Sequence, residues 1–349
     1  MDAVDYPSER RVNKRPTPRM GGIAMACGIF AAIIVEVLGE YFFGWAGFYI
    51  TGDNRGINHL GVMVGLLVIV LIGAMDDVYS LKPGVKLAGQ ALGSVIIAAS
   101  GCLLSSIANP FGAGFVEFGW FAYPLTVLYL VCFMNVMNLI DGLDGLAAGI
   151  AAIAAFFLFV IACDKALEET AMLSIVLLGA TLAFLRYNFA PASIFMGDSG
   201  SLMLGAMIGI ISLMGVMRSP TVIVMAVPIV IAAIPIADTG AAIVRRLYHH
   251  QPIQQADRKH LHHMLLRKGY GVRKSVVIVY AWTVVLGVGA FLMSHSHGVA
   301  VFMVLGGLMI ISFFILWKLG MFDKVLRHHY HGRHLRQEDK PRWYGKHGR

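Results

Sequence analysis

The chain has 349 residues, of which 58% are hydrophobic and only 14% are charged, and its formal net charge is +8. Soluble globular proteins carry about 25% charged residues. The composition therefore excludes a soluble enzyme, a disordered chain and a small secreted domain held by disulfides. Most side chains must face a lipid bilayer, which makes the few charged positions the informative ones.

Ten hydrophobic segments are long enough to cross the roughly 30 Å hydrocarbon core of a bilayer as α-helices. They predict an all-α integral membrane protein with about ten transmembrane helices. In chain order, the predicted spans are 22–43, 58–75, 87–107, 120–138, 146–163, 170–186, 200–217, 220–243, 275–293 and 298–318.

The basic residues indicate the orientation of these spans. An even number of spans places both termini on the same side of the membrane, and 25 of the 28 Lys and Arg residues fall on that side. The opposite side receives only Arg55, Lys165 and Arg218. Because short cytoplasmic loops are enriched in Lys and Arg, both termini are predicted to be cytoplasmic.

This arrangement of predicted spans divides the chain into three parts. Residues 1–20 form a cytoplasmic N-terminal loop, 21–319 a polytopic membrane domain, and 320–349 a basic cytoplasmic tail. The tail contains aromatic residues as well, so we interpret it as an anchor to anionic membrane lipids. The predicted cytoplasmic loops within the membrane domain are 76–86, 138–145, 187–199 and 244–274.

Aspartates at the ends of predicted spans are the first candidates for a functional site. An ionised carboxylate at the membrane boundary is costly unless it is hydrated, paired or bound to a cation. Five of these residues fall at cytoplasmic span ends, whereas Asp238 in a later span is interpreted as structural. The five are Asp76, Asp77, Asp141, Asp144 and Asp198.

One such aspartate could simply cap a helix, and Asp144 and Asp198 both precede apolar segments. Five carboxylates near one membrane surface repel one another, however, and need a counter-charge to stay ionised. A divalent cation supplies it. Asp and Asn oxygens favour a hard ion such as Mg²⁺, which fills its remaining coordination positions with water and phosphate.

The longest predicted cytoplasmic loop contains the basic segment DRKHLHHMLLRKG at 257–269. Arg forms bidentate contacts with phosphate, and His is a titratable donor, so the segment is a candidate anion site. An ordinary cytoplasmic loop would explain Lys and Arg but not the three histidines among positions 260–263. A zinc site is a weaker alternative, because no cysteine lies near these histidines.

Four motifs follow one another along the chain: PTPRMGG (16–22), DDVYSLKPGVK (76–86), NLIDGLDGLAAG (138–149) with FMGDSGS (195–201), and DRKHLHHMLLRKG (257–269). In this order they resemble the motifs of the polyprenyl-phosphate N-acetylhexosamine-1-phosphate transferases. The PR of the first motif and the HxHH pattern of the last resemble the WecA/TagO-like branch, which moves N-acetylglucosamine-1-phosphate. The branch that moves phospho-MurNAc-pentapeptide usually has consecutive histidines and remains the alternative. The family normally has one further span before the first motif.

The resemblance implies Mg²⁺-dependent transfer of N-acetylglucosamine-1-phosphate from UDP-GlcNAc to undecaprenyl phosphate, with release of UMP. Mn²⁺ is an expected substitute for Mg²⁺. A phosphate monoester has a second pKa of about 6 and is already largely dianionic at neutral pH. We therefore expect direct attack by the lipid phosphate on the β-phosphorus of the donor. A covalent aspartyl-phosphate is the alternative route.

The resemblance also assigns roles by motif position. Asp76 and Asp77 are expected in catalysis, where they orient the acceptor or the metal. The remaining expected roles are metal binding for Asn138 and Asp198, nucleotide binding for Asp144 and Asp141, and phosphate binding for Lys86, Arg258, His260, His262 and His263.

The expected setting is the bacterial inner membrane, with a multi-pass chain and an active site that faces the cytoplasm. The reaction would be the first membrane step of cell-surface polysaccharide synthesis. Expected partners are a UDP-N-acetylhexosamine, undecaprenyl phosphate, membrane lipids and a second copy of the chain in a homodimer, but no nucleic acid. A secondary transporter is the rival class, and it is disfavoured because transporters bind substrate near the bilayer midplane between repeated units.

Overall fold

The computed structural model describes residues 4–5, 16–45, 56–108, 114–218, 265–266, 268–296 and 299–318. Two short antiparallel hairpins lie in these ranges, β1 (Val4–Asp5) with β2 (Thr17–Pro18), and β3 (Ser106–Ala108) with β4 (Phe115–Glu117). The described ranges also contain nine α-helices. These are α1 (Gly21–Phe43), α2 (His59–Tyr79), α3 (Pro83–Ala99), α4 (Ala122–Ile140), α5 (Leu146–Asp164), α6 (Glu168–Asn188), α7 (Gly197–Arg218), α8 (Val272–Ser294) and α9 (Val299–Lys318).

Seven segments of the described chain are long and apolar enough to cross a membrane, and they correspond to α1, α2, α4, α5, α6, α7 and α8. Their outer faces expose large aliphatic side chains, among them Leu60 at 73%, Leu71 at 53% and Val277 at 53%. A water-soluble protein rarely exposes apolar surface on this scale. The chain is therefore a multi-pass, all-α integral membrane protein, as predicted.

Nine of the ten predicted spans coincide with a helix, and the span predicted at 220–243 lies outside the described residues. The boundaries of the third span, 87–107, were wrong. Helix α3 begins at Pro83, whose fixed φ angle suits the first helical turn, and ends at Ala99. The chain then turns at Gly101, which has a φ of 90°, and continues towards β3 although its residues remain apolar.

The predicted loop at 76–86 is largely helical. Helix α2 continues through Tyr79 and α3 begins at Pro83, so only three residues separate the two helices. The loops predicted at 138–145 and 187–199 are shorter than expected for the same reason, because helical hydrogen bonding extends into the polar residues at each span end.

Helices α1 to α7 alternate in direction, and α8 begins at the same end as α7, so the helix ends form two groups. The site end is the group formed by the starts of α1, α3, α5, α7 and α8 and the ends of α2, α4 and α6. Contacts at this end include Gly21 N to Phe195 O at 3.0 Å. At the opposite end, the start of α2 meets the start of α6 through a buried contact between His59 and Glu169. The order of the predicted spans gives the same alternation of helix directions for α1 to α7.

Helix α7 lies at the centre and packs against α1, α2, α4, α5 and α6. Its core residues, such as Leu202 and Leu204, have no exposed surface. Gly73 permits the close approach of α2, since a Cβ atom at this position would lie 2.5 Å from the Cα atom of Ser199. The first turn of α7 is thus in contact with the last turns of α2, where the paired aspartates lie.

Candidate active site

The side chain of Lys86 lies at the centre of the site end. This residue is in the first turn of α3, and its Nζ atom contacts side chains from three other helices. Nζ is 3.0 Å from Asp76 Oδ2, 2.5 Å from Asp198 Oδ2 and 3.3 Å from Asn138 Oδ1. The structure therefore brings together four of the residues predicted from the sequence, with three oxygen atoms around one cationic atom.

Asn138 is held with its amide oxygen towards Lys86. Its Nδ2 atom donates to Asp198 Oδ1 at 2.6 Å and to Ser201 Oγ at 2.9 Å. Because both amide hydrogens have acceptors on α7, the orientation of the amide follows from its hydrogen bonds. Ser201 was missed by the sequence reasoning, although it lies within the FMGDSGS motif.

Asp77 caps the first turn of α7 from a different helix. Its Oδ1 atom accepts from Asp198 N at 2.7 Å, and its Oδ2 atom accepts from Ser199 N at 3.0 Å and from Ser199 Oγ at 2.8 Å. The first amides of a helix have no acceptors within the helix, and a negative charge there is favourable. Asp77, not Asp198 itself, therefore satisfies the start of α7.

Gly197 allows this cap to form. Its φ angle is +72°, a conformation that residues with a side chain rarely adopt, and a Cβ atom would lie 2.5 Å from Asp77 Oδ2. The glycine thus lets Asp77 approach the exposed backbone amides. As a result, Asp77 fixes the position of the adjacent Asp198.

Asp76 is also held by contacts within the protein. Besides the ion pair of Oδ2 with Lys86, its Oδ1 atom accepts from Leu81 N at 2.6 Å, which orders the turn between α2 and α3. Asp76 and Asp77 are therefore placed at the site by contacts that do not involve a substrate. Their assignment as catalytic residues stays a prediction.

The turn that carries Asp141 and Asp144 is tied to the segment before α7. Asp144 Oδ2 accepts from Ala192 N at 2.9 Å. Asn188 joins the same two segments, because its Oδ1 atom accepts from Gly145 N at 3.0 Å and its Nδ2 atom donates to Ile194 O at 2.9 Å. Asp144 is thus not the cap of α5 but a link between two loops.

Two residues of α8 support these loops. Arg273 Nε donates to Ala190 O at 2.7 Å, and the Tyr280 hydroxyl donates to Gly145 O. Nothing in the local sequence indicates these two contacts, because the partners lie far away in the chain. Their effect is to hold the loops around the predicted nucleotide-binding residues.

Asp141 is half-buried between these loops and the Lys86 cluster. Burial raises the pKa of its carboxyl group to about 7, and the negative charges of Asp198 and Asp77 contribute to the shift. The positive charge of Arg19 acts in the opposite direction. Asp141 therefore titrates near neutral pH, unlike an exposed aspartate.

The first sequence motif, PTPRMGG, runs beside the FMGDSGS motif. Phe195 N donates to Pro18 O at 2.8 Å, and Gly22 N donates to Met196 O at 2.8 Å. Arg19, which the sequence reasoning did not assign to the site, is thereby brought near Asp141. The motif itself was the signal that could have identified it.

The oxygen atoms around Lys86 suit a hard divalent cation. Among the described residues, no group of three or more His, Cys, Asp and Glu side chains is arranged to hold a metal ion. Mg²⁺ needs no such group, since it commonly uses one or two carboxylates together with phosphate and water. The side chains of Asp198, Asn138 and Asp76 supply two carboxylates and one amide oxygen, so this site fits the ion.

The other predicted phosphate-binding residues lie outside the described part of the chain. These residues, which stay predictions, are Arg258, His260, His262 and His263.

Comparisons with known proteins identify the family of the chain. The family model described as glycosyl transferase family 4 matches residues 59–216, a range that contains the Lys86 cluster. Together with a relative that is 36% identical over 84% of this chain, this match shows that the chain belongs to the family. The chain is a transferase of the phosphoglycosyltransferase class.

Named relatives extend over most of the chain. A Bacillus subtilis (strain 168) protein named probable undecaprenyl-phosphate N-acetylglucosaminyl 1-phosphate transferase is 36% identical over 294 residues, which is 84% of this chain and 78% of the relative. The decaprenyl-phosphate N-acetylglucosaminephosphotransferase of Mycolicibacterium smegmatis is 34% identical over 82% of this chain and 74% of its own. The Escherichia coli (strain K12) undecaprenyl-phosphate alpha-N-acetylglucosaminyl 1-phosphate transferase is 27% identical over 93% of this chain and 87% of its own.

Proposed function

We propose that this protein transfers N-acetylglucosamine-1-phosphate from UDP-GlcNAc to undecaprenyl phosphate and releases UMP. The main support for this proposal is the cluster of oxygen atoms from Asp76, Asn138 and Asp198 around the Nζ atom of Lys86 at the site end. The names of the relatives support the choice of substrates, because all three contain N-acetylglucosamine and a polyprenyl phosphate.

Mg²⁺ is the proposed cofactor, with Mn²⁺ as a substitute, and Asn138 and Asp198 are the residues that would hold it. When bound, the ion would screen the negative charge of the donor diphosphate, which is the main obstacle to joining two phosphates. Asp77 supports this role indirectly, since it fixes the backbone at Asp198.

The proposed reaction is a single displacement. An oxygen of the lipid phosphate attacks the β-phosphorus of the donor, and a new P–O bond forms. The bond from the β-phosphorus to the bridging oxygen breaks, and UMP leaves with that oxygen and its electron pair. Because the lipid phosphate is already largely dianionic at neutral pH, no side chain has to remove a proton. Lys86 would bind phosphate oxygens, and Asp76 would orient the acceptor or the metal.

The nucleotide would bind at the turn that carries Asp141 and Asp144, which the neighbouring loops hold in place. The predicted basic loop would contact the diphosphate from the cytoplasmic side through Arg258, His260, His262 and His263.

We place the active site at the cytoplasmic face of the bacterial inner membrane, in the first membrane step of cell-surface polysaccharide synthesis. The distribution of basic residues supports this orientation. The position of the site at helix ends, away from the midplane, favours a transferase over a transporter. A homodimer is proposed by analogy with the family.

Release of UMP from the purified, detergent-solubilised protein tests this function. UDP-GlcNAc, UDP-GalNAc and UDP-MurNAc-pentapeptide are compared as donors, with undecaprenyl phosphate and Mg²⁺. We expect turnover with UDP-GlcNAc that EDTA and Asp198→Ala both abolish, whereas Asp164→Ala, a control at the opposite end, retains it. Turnover with the pentapeptide donor alone would assign the protein to the peptidoglycan branch, and no turnover with any donor would contradict the proposal.

A further inference from the structure

Lys86 contacts the same oxygen atoms that would hold the divalent cation. We propose that the ammonium group and the cation occupy this oxygen cluster in alternation, so that binding of the ion moves Lys86 away and makes its charge available to the donor diphosphate. This inference rests on the proposed function and describes how its site assembles.

The oxygen atoms of the cluster are held by contacts that do not depend on Lys86. Asn138 is oriented by the bonds of its Nδ2 atom to Asp198 and Ser201. The backbone at Asp198 is held by Asp77. The cluster is thus preformed, and it would keep its arrangement after the ammonium leaves.

Asp76 is held in the same manner, through the bond from Leu81 N to its Oδ1 atom. Lys86 is the movable member of the cluster, because its charge lies at the end of a flexible four-carbon chain. The side chain of Asp198 is 29% exposed, so an ion from solvent can reach the cluster.

The charges explain why the two cations would alternate. The ammonium group lies 2.5 to 3.3 Å from these oxygens. A divalent ion at the same oxygens would repel it strongly at that distance. A displaced Lys86 needs another anion. The donor diphosphate supplies one, so the ion and the donor should each strengthen binding of the other.

Binding of Mn²⁺ to the full-length protein in detergent, measured by electron paramagnetic resonance without substrate, tests the proposal. Lys86→Met removes the charge and keeps a similar side-chain length. We expect the Kd for Mn²⁺ to decrease by about fivefold or more in this variant. Lys82→Met is the matched control, because Lys82 is an exposed lysine at the start of the same helix. Its Kd should stay within about twofold of wild type.

A second measurement adds UDP-GlcNAc. The donor should tighten Mn²⁺ binding in the wild type by about fivefold or more, and this gain should be smaller in Lys86→Met. Only variants that elute as a single monodisperse species are compared, and Lys86→Gln replaces Lys86→Met if the latter aggregates. A Kd for Mn²⁺ in the substrate-free Lys86 variant that equals or exceeds the wild-type value would overturn the proposal, as would failure of any form to bind Mn²⁺.

These outcomes separate the inference from the proposed function. If the wild type releases UMP but the Lys86 variant has unchanged Mn²⁺ affinity, the alternation is wrong and the transferase function stands. If the variant binds Mn²⁺ more tightly but the wild type releases no UMP with any donor, the function is wrong and the alternation stands.

Discussion

Replacing Asp77 with alanine removes the three hydrogen bonds that hold the first turn of α7. The two backbone amides and the Ser199 hydroxyl then lose their charged acceptor. Ser199 has no exposed surface, so water cannot readily replace the carboxylate. The account therefore predicts both a loss of stability and a displaced Asp198 carboxylate.

The magnitude follows from the kind of bonds that are lost. A hydrogen bond to a charged group contributes about 1.5–3 kcal/mol, and loss of a helix cap costs about 0.5–2 kcal/mol. The three bonds share one carboxylate and are not additive, so we expect Asp77→Ala to lower the free energy of unfolding by about 2–4 kcal/mol. Asp77→Asn should lose less, since it keeps one acceptor oxygen.

Thermal unfolding in detergent and Mn²⁺ binding are the two readouts. Asp164→Ala is the control, because it removes a carboxylate from partly exposed contacts with Lys165 and His295 at the opposite end of the bundle. Exposed ion pairs contribute little to stability. We expect a clear decrease in Tm and weaker Mn²⁺ binding for Asp77→Ala but not for the control.

The alternative is that Asp77 acts directly on a substrate. In that case Asp77→Ala would lose UMP release while its Tm and Mn²⁺ affinity stay at wild-type values. This result would refute the positioning role derived from the structure.

Three further predictions concern the packing and charge of the site. Gly73→Ala should lower UMP release, and it should lower the free energy of unfolding by about 1–3 kcal/mol, because the added methyl group meets the α7 backbone. Unchanged UMP release would contradict this prediction. Gln90 accepts from Asn135 Nδ2 at 2.7 Å one helical turn deeper than Lys86, so Gln90→Leu should cost about 0.6–1.7 kcal/mol of unfolding free energy. Thermal unfolding of this variant and of the wild type measures the loss. The pKa of Asp141 is about 7 in the folded protein, above its ordinary value. Between these two pKa values the folded state keeps a proton that the unfolded chain releases. The free energy of unfolding therefore falls as the pH rises towards and through 7. Between about pH 6 and about pH 8 in EDTA, the free energy of unfolding of the wild type should fall by about 1 kcal/mol more than that of Asp141→Asn. Parallel plots of unfolding free energy against pH would contradict the raised pKa.

The helices were predictable from the sequence because a membrane span is also an apolar run. The predicted span at 146–163 and the helix Leu146–Asp164 differ by one residue. The prediction was wrong for α3, because apolar residues continue beyond its end at Ala99 into an extended segment. Hydrophobicity alone cannot distinguish these two backbone conformations.

Part of the site was also predictable, because charges are rare in an apolar sequence. The motifs assigned Lys86, Asn138 and Asp198 to one site, and the structure places them in contact. The cap that Asp77 provides to α7 could not be predicted, since its partners are more than a hundred residues away. The support from Arg273 depends in the same way on how the helices pack.

Transfer of the β-phosphate label from [β-³²P]UDP-GlcNAc tests the central claim most directly. The purified protein is incubated with Mg²⁺, with and without undecaprenyl phosphate, and labelled lipid, nucleotide and protein are separated. The account predicts label in the lipid product, unlabelled UMP and no labelled protein, and it predicts no lipid product with Asp198→Ala. Labelled protein formed without the lipid would contradict direct attack and indicate a covalent phospho-enzyme.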